Sequence, residues 1–308
     1  MSRNRIFAVC LGFLLAVPLG AAAQAAFDRI VVFGTSLSDP GNAFALVGGT
    51  NTPPDYSVDP FLVPDRPYAK GGHHFSNGPT WIEQYARPRG LSASVNPAFR
   101  GNSAKASNYA VGGARARASA DNVHLTVQVE SFLRDVGGIA PPEALYVVEM
   151  GGNDIRDALS SVNPSLLSAA ADAVADNIRR LHGAGATKFL VWNAPNLGLT
   201  PAVIGAGPDA VAAAAFLSQT FNFLLDTELT ALPATIELHR FDVFQKLHAV
   251  VGAPESFGLA NVDTACITPN VPPFACKKAD EYLFWDGIHP TRAMHAIIAH
   301  EAAAVLGR

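Results

Sequence analysis

Three residues of this chain have the types that nucleophilic acyl transfer requires. Ser36 lies in Phe33-Gly34-Thr35-Ser36-Leu37-Ser38-Asp39, directly after the apolar run Ile30-Val31-Val32-Phe33. A serine hydroxyl is a poor nucleophile until a general base takes its proton. Imidazole is the usual base, because it titrates near neutrality. Near the far end of the chain, Asp286-Gly287-Ile288-His289-Pro290-Thr291 offers His289. Asp286, on the same short turn, can orient the ring and stabilise its cationic form. Asp-x-x-His alone is a weak signal and gains weight from Pro290-Thr291 and from the pairing with Ser36 and Asn153.

The transition state of acyl transfer also needs donors for a developing oxyanion. Three are present by type: the backbone N–H of Ser36, the backbone N–H of Gly113, and the side-chain amide of Asn153. Gly113 ends Asn108-Tyr109-Ala110-Val111-Gly112-Gly113, and Asn153 follows Gly151-Gly152. An asparagine after two glycines is also a common turn residue. Asp154 reads as structural, bonding local backbone.

Strand ends must hold these groups. Residues 30–33 read as a short buried strand, which leaves Ser36 at its C-terminal edge, where open α/β sheets bind ligands. Residues 144–150, 188–192 and 235–241 read as further strands, and 108–114 as a strand or extended segment. Between them lie helical patterns: one starting near Pro79, then 123–136, 164–182, 209–232 and 292–306. In 164–182, Leu167, Ala170, Val174, Ile178 and Leu181 recur at helical spacing before Gly183. Alternating strands and helices predict a mostly parallel sheet covered on both faces. Residues 40–79 form a long loop with Pro53-Pro54, Tyr56, Phe61, Tyr68 and Phe75, whose aromatics either line a cleft or pack the loop down. Residues 253–285 read as a second loop-rich excursion.

The 308 residues are 49% hydrophobic and 16% charged, which suits one large α/β domain. The formal charge is −4 with no basic face, which argues against nucleic-acid binding. Arg3 and Arg5, the apolar stretch 6–19 and the Ala-rich segment before position 26 read as a secretory leader over 1–25, with one domain over 26–308. The apolar stretch is short of the ~20 residues a spanning helix needs, so no stable membrane anchor is expected. Loss of the leader removes Arg3, Arg5 and Cys10. Cys266 and Cys276 remain, and in an exported protein they are expected to form a disulfide closing a Pro-rich loop. With no Cys-x-x-Cys or His-Glu-x-x-His, no metal is called for, and His73-His74 reads as a solvated loop feature. Gly-x-Ser-x-Gly, P-loop and dinucleotide motifs are also lacking.

The four blocks Gly34-Thr35-Ser36-Leu37-Ser38-Asp39, Gly112-Gly113, Gly151-Gly152-Asn153-Asp154 and Asp286-Gly287-Ile288-His289-Pro290 resemble, in order, those of the GDSL (SGNH) esterase/lipase family. Phe75-Ser76-Asn77-Gly78 and residues 108–114 resemble its plant-type and secreted bacterial branch. The resemblance implies a flavodoxin-like three-layer α/β/α sandwich. It implies Ser36 as nucleophile, Asp286 and His289 as its partners, and Ser36, Gly113 and Asn153 as oxyanion donors, with Gly112 the alternative to Gly113. It implies hydrolysis of small-molecule or lipid esters without metal or cofactor. One departure stands out: the first block usually carries Asp before the serine, and here it is Thr35. Two other functions share these residues: an acyltransferase using the same Ser36, or a non-catalytic binding protein on a hydrolase fold. The chain is expected to be a monomer, secreted or periplasmic. It ends about twenty residues after His289, too few for a C-terminal β-barrel whose strands need ~10 residues each.

Overall fold

The computed structural model describes residues 27–48, 55–69, 72–101, 105–120 and 123–307. The expected leader with Cys10, and Pro53-Pro54, lie outside the described residues. Strands β1 (Arg29–Phe33), β2 (Ala144–Val148), β3 (Lys188–Trp192) and β4 (Glu237–Phe241) pair in that order, all parallel. The expected extended segment runs along the free edge of β1. The Val32 N–H donates to Ser107 (3.0 Å), Tyr109 to Val32 (2.8 Å) and Val111 to Gly34 (3.1 Å). With that edge counted in chain order, the sheet reads 2-1-3-4-5. This is the flavodoxin-like order, in which ligands bind outside the carboxyl ends of the strands.

Side chains alternate across a strand, so each strand feeds two cores. Val31, Phe33, Tyr146, Val148, Phe189 and Val191 face one layer of helices. Ile30, Val32, Leu145, Val147, Leu190 and Trp192 face the other. The last four residues of β1 are fully buried, each contributing roughly 1.5–3 kcal/mol of apolar burial. This fixes the strand whose end carries Ser36.

The helices follow in chain order. α1 (Asn42–Val47) and α2 (Trp81–Ala86) interrupt the first long loop, and α3 (Leu125–Asp135) precedes β2. α4 (Gly152–Ser161), α5 (Ser165–Gly183), α6 (Pro201–Gly205) and α7 (Pro208–Thr230) follow, with β3 between α5 and α6. α8 (Val243–Gly252) follows β4, and α9 (Arg292–Val305) closes the chain. α3, α4, α5 and α7 cover one face of the sheet; α2, α8 and α9 cover the other. The starts are chemically marked. The Thr80 N–H donates to Glu83 Oε2 (2.8 Å) in a capping box on α2. Asp242 Oδ1 accepts the Gln245 N–H (3.0 Å) on α8, and Thr291 Oγ1 accepts the Met294 N–H (3.3 Å) on α9.

Three features differ from expectation. No helix is expected directly after β2, yet Asn153 lies in the first turn of α4, because Gly151 takes the left-handed N-cap conformation (φ 106°) and the helix starts at once. α8 carries its own signal in buried Val243, Leu247 and Val250. The second excursion contains a small two-stranded sheet, β5 (Asn261–Ala265) with β6 (Tyr282–Phe284). The expected disulfide Cys266–Cys276 joins its end, with Cα atoms 5.5 Å apart. In the first long loop, Tyr56 and Tyr68 pack with Ile267 and Trp285. These aromatics hold the loop to the body.

Candidate active site

β1 ends at Phe33, and the chain turns immediately. The Ser38 N–H donates to the Thr35 carbonyl (3.1 Å), leaving Ser36 at the crest, half-buried. Asp39 sits behind it, fully buried. Its Oδ1 accepts the Gly41 N–H (2.7 Å), and its Oδ2 accepts the N–H groups of Ala43 (3.0 Å) and Gly112 (2.8 Å). Burial raises its pKa, and these backbone donors offset part of that. Asp39 thus ties the serine turn to the Gly112-Gly113 loop.

The far motif meets Ser36 here. His289 Nε2 lies 2.9 Å from Ser36 Oγ, and Nδ1 lies 2.8 Å from Asp286 Oδ2. Asp286 is fully buried, and its Oδ1 accepts the N–H groups of Ile288 (3.0 Å) and His289 (2.8 Å). The Asp-x-x-His spacing works because this local turn aims both side chains the same way. Ser76 Oγ donates to the Pro290 carbonyl (2.8 Å), and the Phe75 ring packs at 5.3 Å from the His289 ring. Phe75 also explains Gly112: a Cβ there would fall 2.1 Å from the Phe75 ring.

The candidate oxyanion donors differ in what already engages them. The Ser36 and Gly113 N–H groups have no partner among the described residues. The Gly112 N–H, the alternative, is taken by Asp39. Asn153 Nδ2 donates to the Ala114 carbonyl (2.8 Å), and Oδ1 accepts from Arg156 Nη1 (3.0 Å). The amide is therefore oriented, with one Nδ2 hydrogen left over. Asp154 is buried, with its pKa pushed up to about 6 by burial, and accepts the Ala116 N–H (2.8 Å). It fastens α4 to the segment after the glycine pair.

Ser36, Asn153 and His289 line one cleft with an empty space of about 810 Å³, part of it open to solvent. Trp192, Leu197, Val243, Leu247, Met294 and Ile298 make much of its wall, so it is chiefly apolar. Among the described residues no three His, Cys, Asp or Glu side chains gather as a metal site. His73 stacks on Phe44 (3.8 Å), and His74 Nε2 contacts Glu83 (2.8 Å).

Three residues at the site escaped sequence reasoning. Tyr68 donates to Asp286 Oδ2 (2.8 Å), and no local pattern marks it. Arg156 bridges Asn153 and Asp59, one helical turn beyond Asn153. Glu149 is buried beneath the serine turn; its only signal was a lone acid ending an apolar strand.

A family model described as GDSL-like lipase/acylhydrolase matches residues 30–302. Phosphatidylcholine-sterol acyltransferase of Aeromonas hydrophila is 26% identical over 97% of this chain and 96% of its own length. A GDSL esterase/lipase of Arabidopsis thaliana is 26% identical over 94% of each. Esterase EstA of Pseudomonas aeruginosa is 30% identical over 99% of this chain, which spans about half (51%) of that esterase. Among solved structures, an extracellular lipase of Streptomyces rimosus aligns over 91% of this chain and 98% of its own, with 13% identity and a TM-score of 0.43.

Proposed function

The chain belongs to the GDSL-like lipase/acylhydrolase family, and from that premise we propose that it is an exported serine esterase or lipase acting on carboxylic esters. The observation that carries this is the continuous path Asp286–His289–Ser36, with links of 2.8 and 2.9 Å, opening on an apolar cleft. His289 Nε2 takes the Ser36 proton as Oγ attacks the ester carbonyl. The tetrahedral oxyanion is received by the N–H groups of Ser36 and Gly113 and the remaining Asn153 hydrogen. His289 then protonates the leaving alcohol. Water, deprotonated by His289, attacks the acyl-serine, releasing the acid and regenerating Ser36.

Export is supported by the leader-like N-terminal sequence and by the disulfide. No helix among the described residues is long and apolar enough to cross a membrane. We propose a monomer that leaves the cytoplasm. The test is hydrolysis of p-nitrophenyl esters of increasing chain length by the mature protein and by Ser36→Ala. Turnover that disappears in the variant supports the proposal; turnover that survives it removes Ser36 as nucleophile.

A second function is favoured by one finding: a relative covering nearly the whole chain is named an acyltransferase. An apolar cleft that holds an alcohol better than water would pass the acyl group to that alcohol. Comparing acid released with and without an alcohol acceptor separates the two.

A further inference from the structure

We infer that Glu149 is a positioning residue for the nucleophile turn, its buried carboxylate gripping Thr35 beside Ser38 so that the Ser36 N–H and hydroxyl are held for the reacting ester. This rests on the serine mechanism proposed above.

All the N–H groups from Gly34 to Ser38 but one have partners among the described residues. The Gly34 N–H donates to Gln128 Oε1 (2.9 Å), and Gln128 Nε2 returns a bond to the Gly34 carbonyl (2.9 Å). The Thr35 N–H donates to Glu149 Oε2 (3.0 Å). The Thr35 hydroxyl donates to Glu149 Oε1 (2.9 Å). The Leu37 N–H turns back to Thr35 Oγ1 (3.4 Å), and the Ser38 N–H to the Thr35 carbonyl (3.1 Å). The Ser36 N–H is the one in this run left without a partner among the described residues. It shares a planar peptide unit with the Thr35 carbonyl, so whatever fixes that carbonyl also fixes its direction.

Glu149 holds the residue just before this unit. It takes the amide and hydroxyl of Thr35, and Ser38, whose N–H donates to the Thr35 carbonyl (3.1 Å), packs beside the same carboxylate. Ser38 Oγ in turn accepts the Trp81 indole N–H (2.9 Å), which anchors the network in the opposite helical layer. The fit is close: a Cβ on Gly34 would lie 2.9 Å from Glu149 Oε2. Glu149 is 4% exposed, and among the described residues no cation pairs with it. A buried acid held only by neutral donors is costly to keep unless those donors need it.

The same contact accounts for Thr35. The resembling block usually places Asp before the serine. Here the acid comes from the end of β2, and position 35 supplies a hydroxyl donor to it. An acid at both positions would put two buried carboxylates in contact, which strongly disfavours ionising both. Thr35 and Glu149 are thus a matched pair, which makes their substitutions interdependent.

The test is a double-mutant cycle read by p-nitrophenyl butyrate hydrolysis at pH 8, with thermal unfolding to monitor folding. Glu149→Gln keeps the shape and is expected to lower kcat about tenfold with KM within about twofold, since transition-state contacts and not ground-state binding are disturbed. Thr35→Val should lower kcat in the same way, and Thr35→Ser should restore most of it. Thr35→Asp alone should cost roughly 100-fold, and adding Glu149→Gln should recover about tenfold of that, the non-additivity expected of contacting residues. The Thr35 series leaves Glu149 in place, so it decides the matter even where Glu149→Gln fails to fold. Single effects that simply multiply, or a Thr35→Asp defect untouched by Glu149→Gln, would overturn the inference. Hydrolysis that needs Ser36 but ignores both Glu149 and Thr35 sinks this inference alone; hydrolysis that survives Ser36→Ala sinks the serine mechanism with it.

Discussion

Tyr68 and His289 converge on a single atom: the tyrosine hydroxyl and the imidazole Nδ1 each lie 2.8 Å from Asp286 Oδ2. Burial and the adjacent Asp286 push the Tyr68 phenol well above its ordinary range, so it stays a donor. Tyr68 packs edge-on against Trp285 (5.8 Å), so the loop that carries it is fastened beside the acid it serves. Tyr68→Phe deletes the hydroxyl and keeps the ring. We expect a loss of about 1.5–3 kcal/mol in unfolding free energy, the range for a hydrogen bond to a charged group. We also expect kcat to fall roughly three- to tenfold at constant KM, as Asp286 loses a fixed partner and holds His289 less firmly. Full retention of kcat would make Tyr68 a loop anchor with no bearing on His289.

Asn153 and Arg156 give a second expectation. Asn153→Ala removes a proposed oxyanion donor and should lower kcat roughly 10²-fold with a smaller effect on KM. Arg156→Met leaves the amide in place but frees its Oδ1 and releases Asp59. Its kcat should fall by a smaller factor, about three- to tenfold, in the same direction. Asn153→Ala with unaltered kcat would take Asn153 out of the oxyanion site.

What the sequence disclosed follows from the range of the signals. β1, β2 and β3 were legible because each is a mostly apolar run with glycine or asparagine close behind it, whereas β4 has only Leu238 and Phe241 as apolar side chains. Ser36 and His289 meet across 253 positions, yet each sits in a locally marked place, a strand end and an Asp-x-x-His turn. Tyr68 meets Asp286 across 218 positions with no such mark on its own side. α4 was hidden because Gly152, Asn153 and Asp154 look like a turn, while the left-handed Gly151 that starts the helix and the long-range contacts of Asn153 with Ala114 and Asp154 with Ala116 leave no local pattern. Glu149 was passed over because one acid leaves no trace in the periodicity of a buried strand.

The disulfide allows a third test. Cys266 and Cys276 are ten positions apart, and closing a loop of that size is worth roughly 2–3 kcal/mol in the chain-entropy account. The strand pairing beside it leads directly to the triad candidate: Cys266 N–H donates to Phe284 (3.0 Å) and Ile267 N–H to Trp285 (2.9 Å), one residue before Asp286. Cys266→Ser/Cys276→Ser should therefore lower both the unfolding midpoint and kcat. Thiol alkylation of the native, unreduced protein should find nothing to label; two labelled cysteines would mean the bond does not form.

The pH dependence of stability has an unusual contribution from Glu149. Burial raises its pKa from 4.5 to about 7, against the pull of the Thr35 hydrogen bonds. Between those two values the folded chain holds a proton that the unfolded chain has released. Stability from this group is therefore fully present below about pH 4.5 and is lost as pH rises toward 7, the reverse of a salt-bridged carboxylate. Glu149→Gln cannot release that proton. Relative to the parent, the variant should gain about 3 kcal/mol in unfolding free energy between pH 4.5 and 8, most of a shift of about 2.5 units at about 1.4 kcal/mol each. The comparison isolates Glu149, because every other titratable group is common to both proteins. Urea unfolding of the pair at pH 4.5, 6 and 8 checks it. Parallel stability curves would show that Glu149 has an ordinary pKa in the folded chain. A gap that widens with pH would show that this acid is retained beneath Ser36 at a cost to folding.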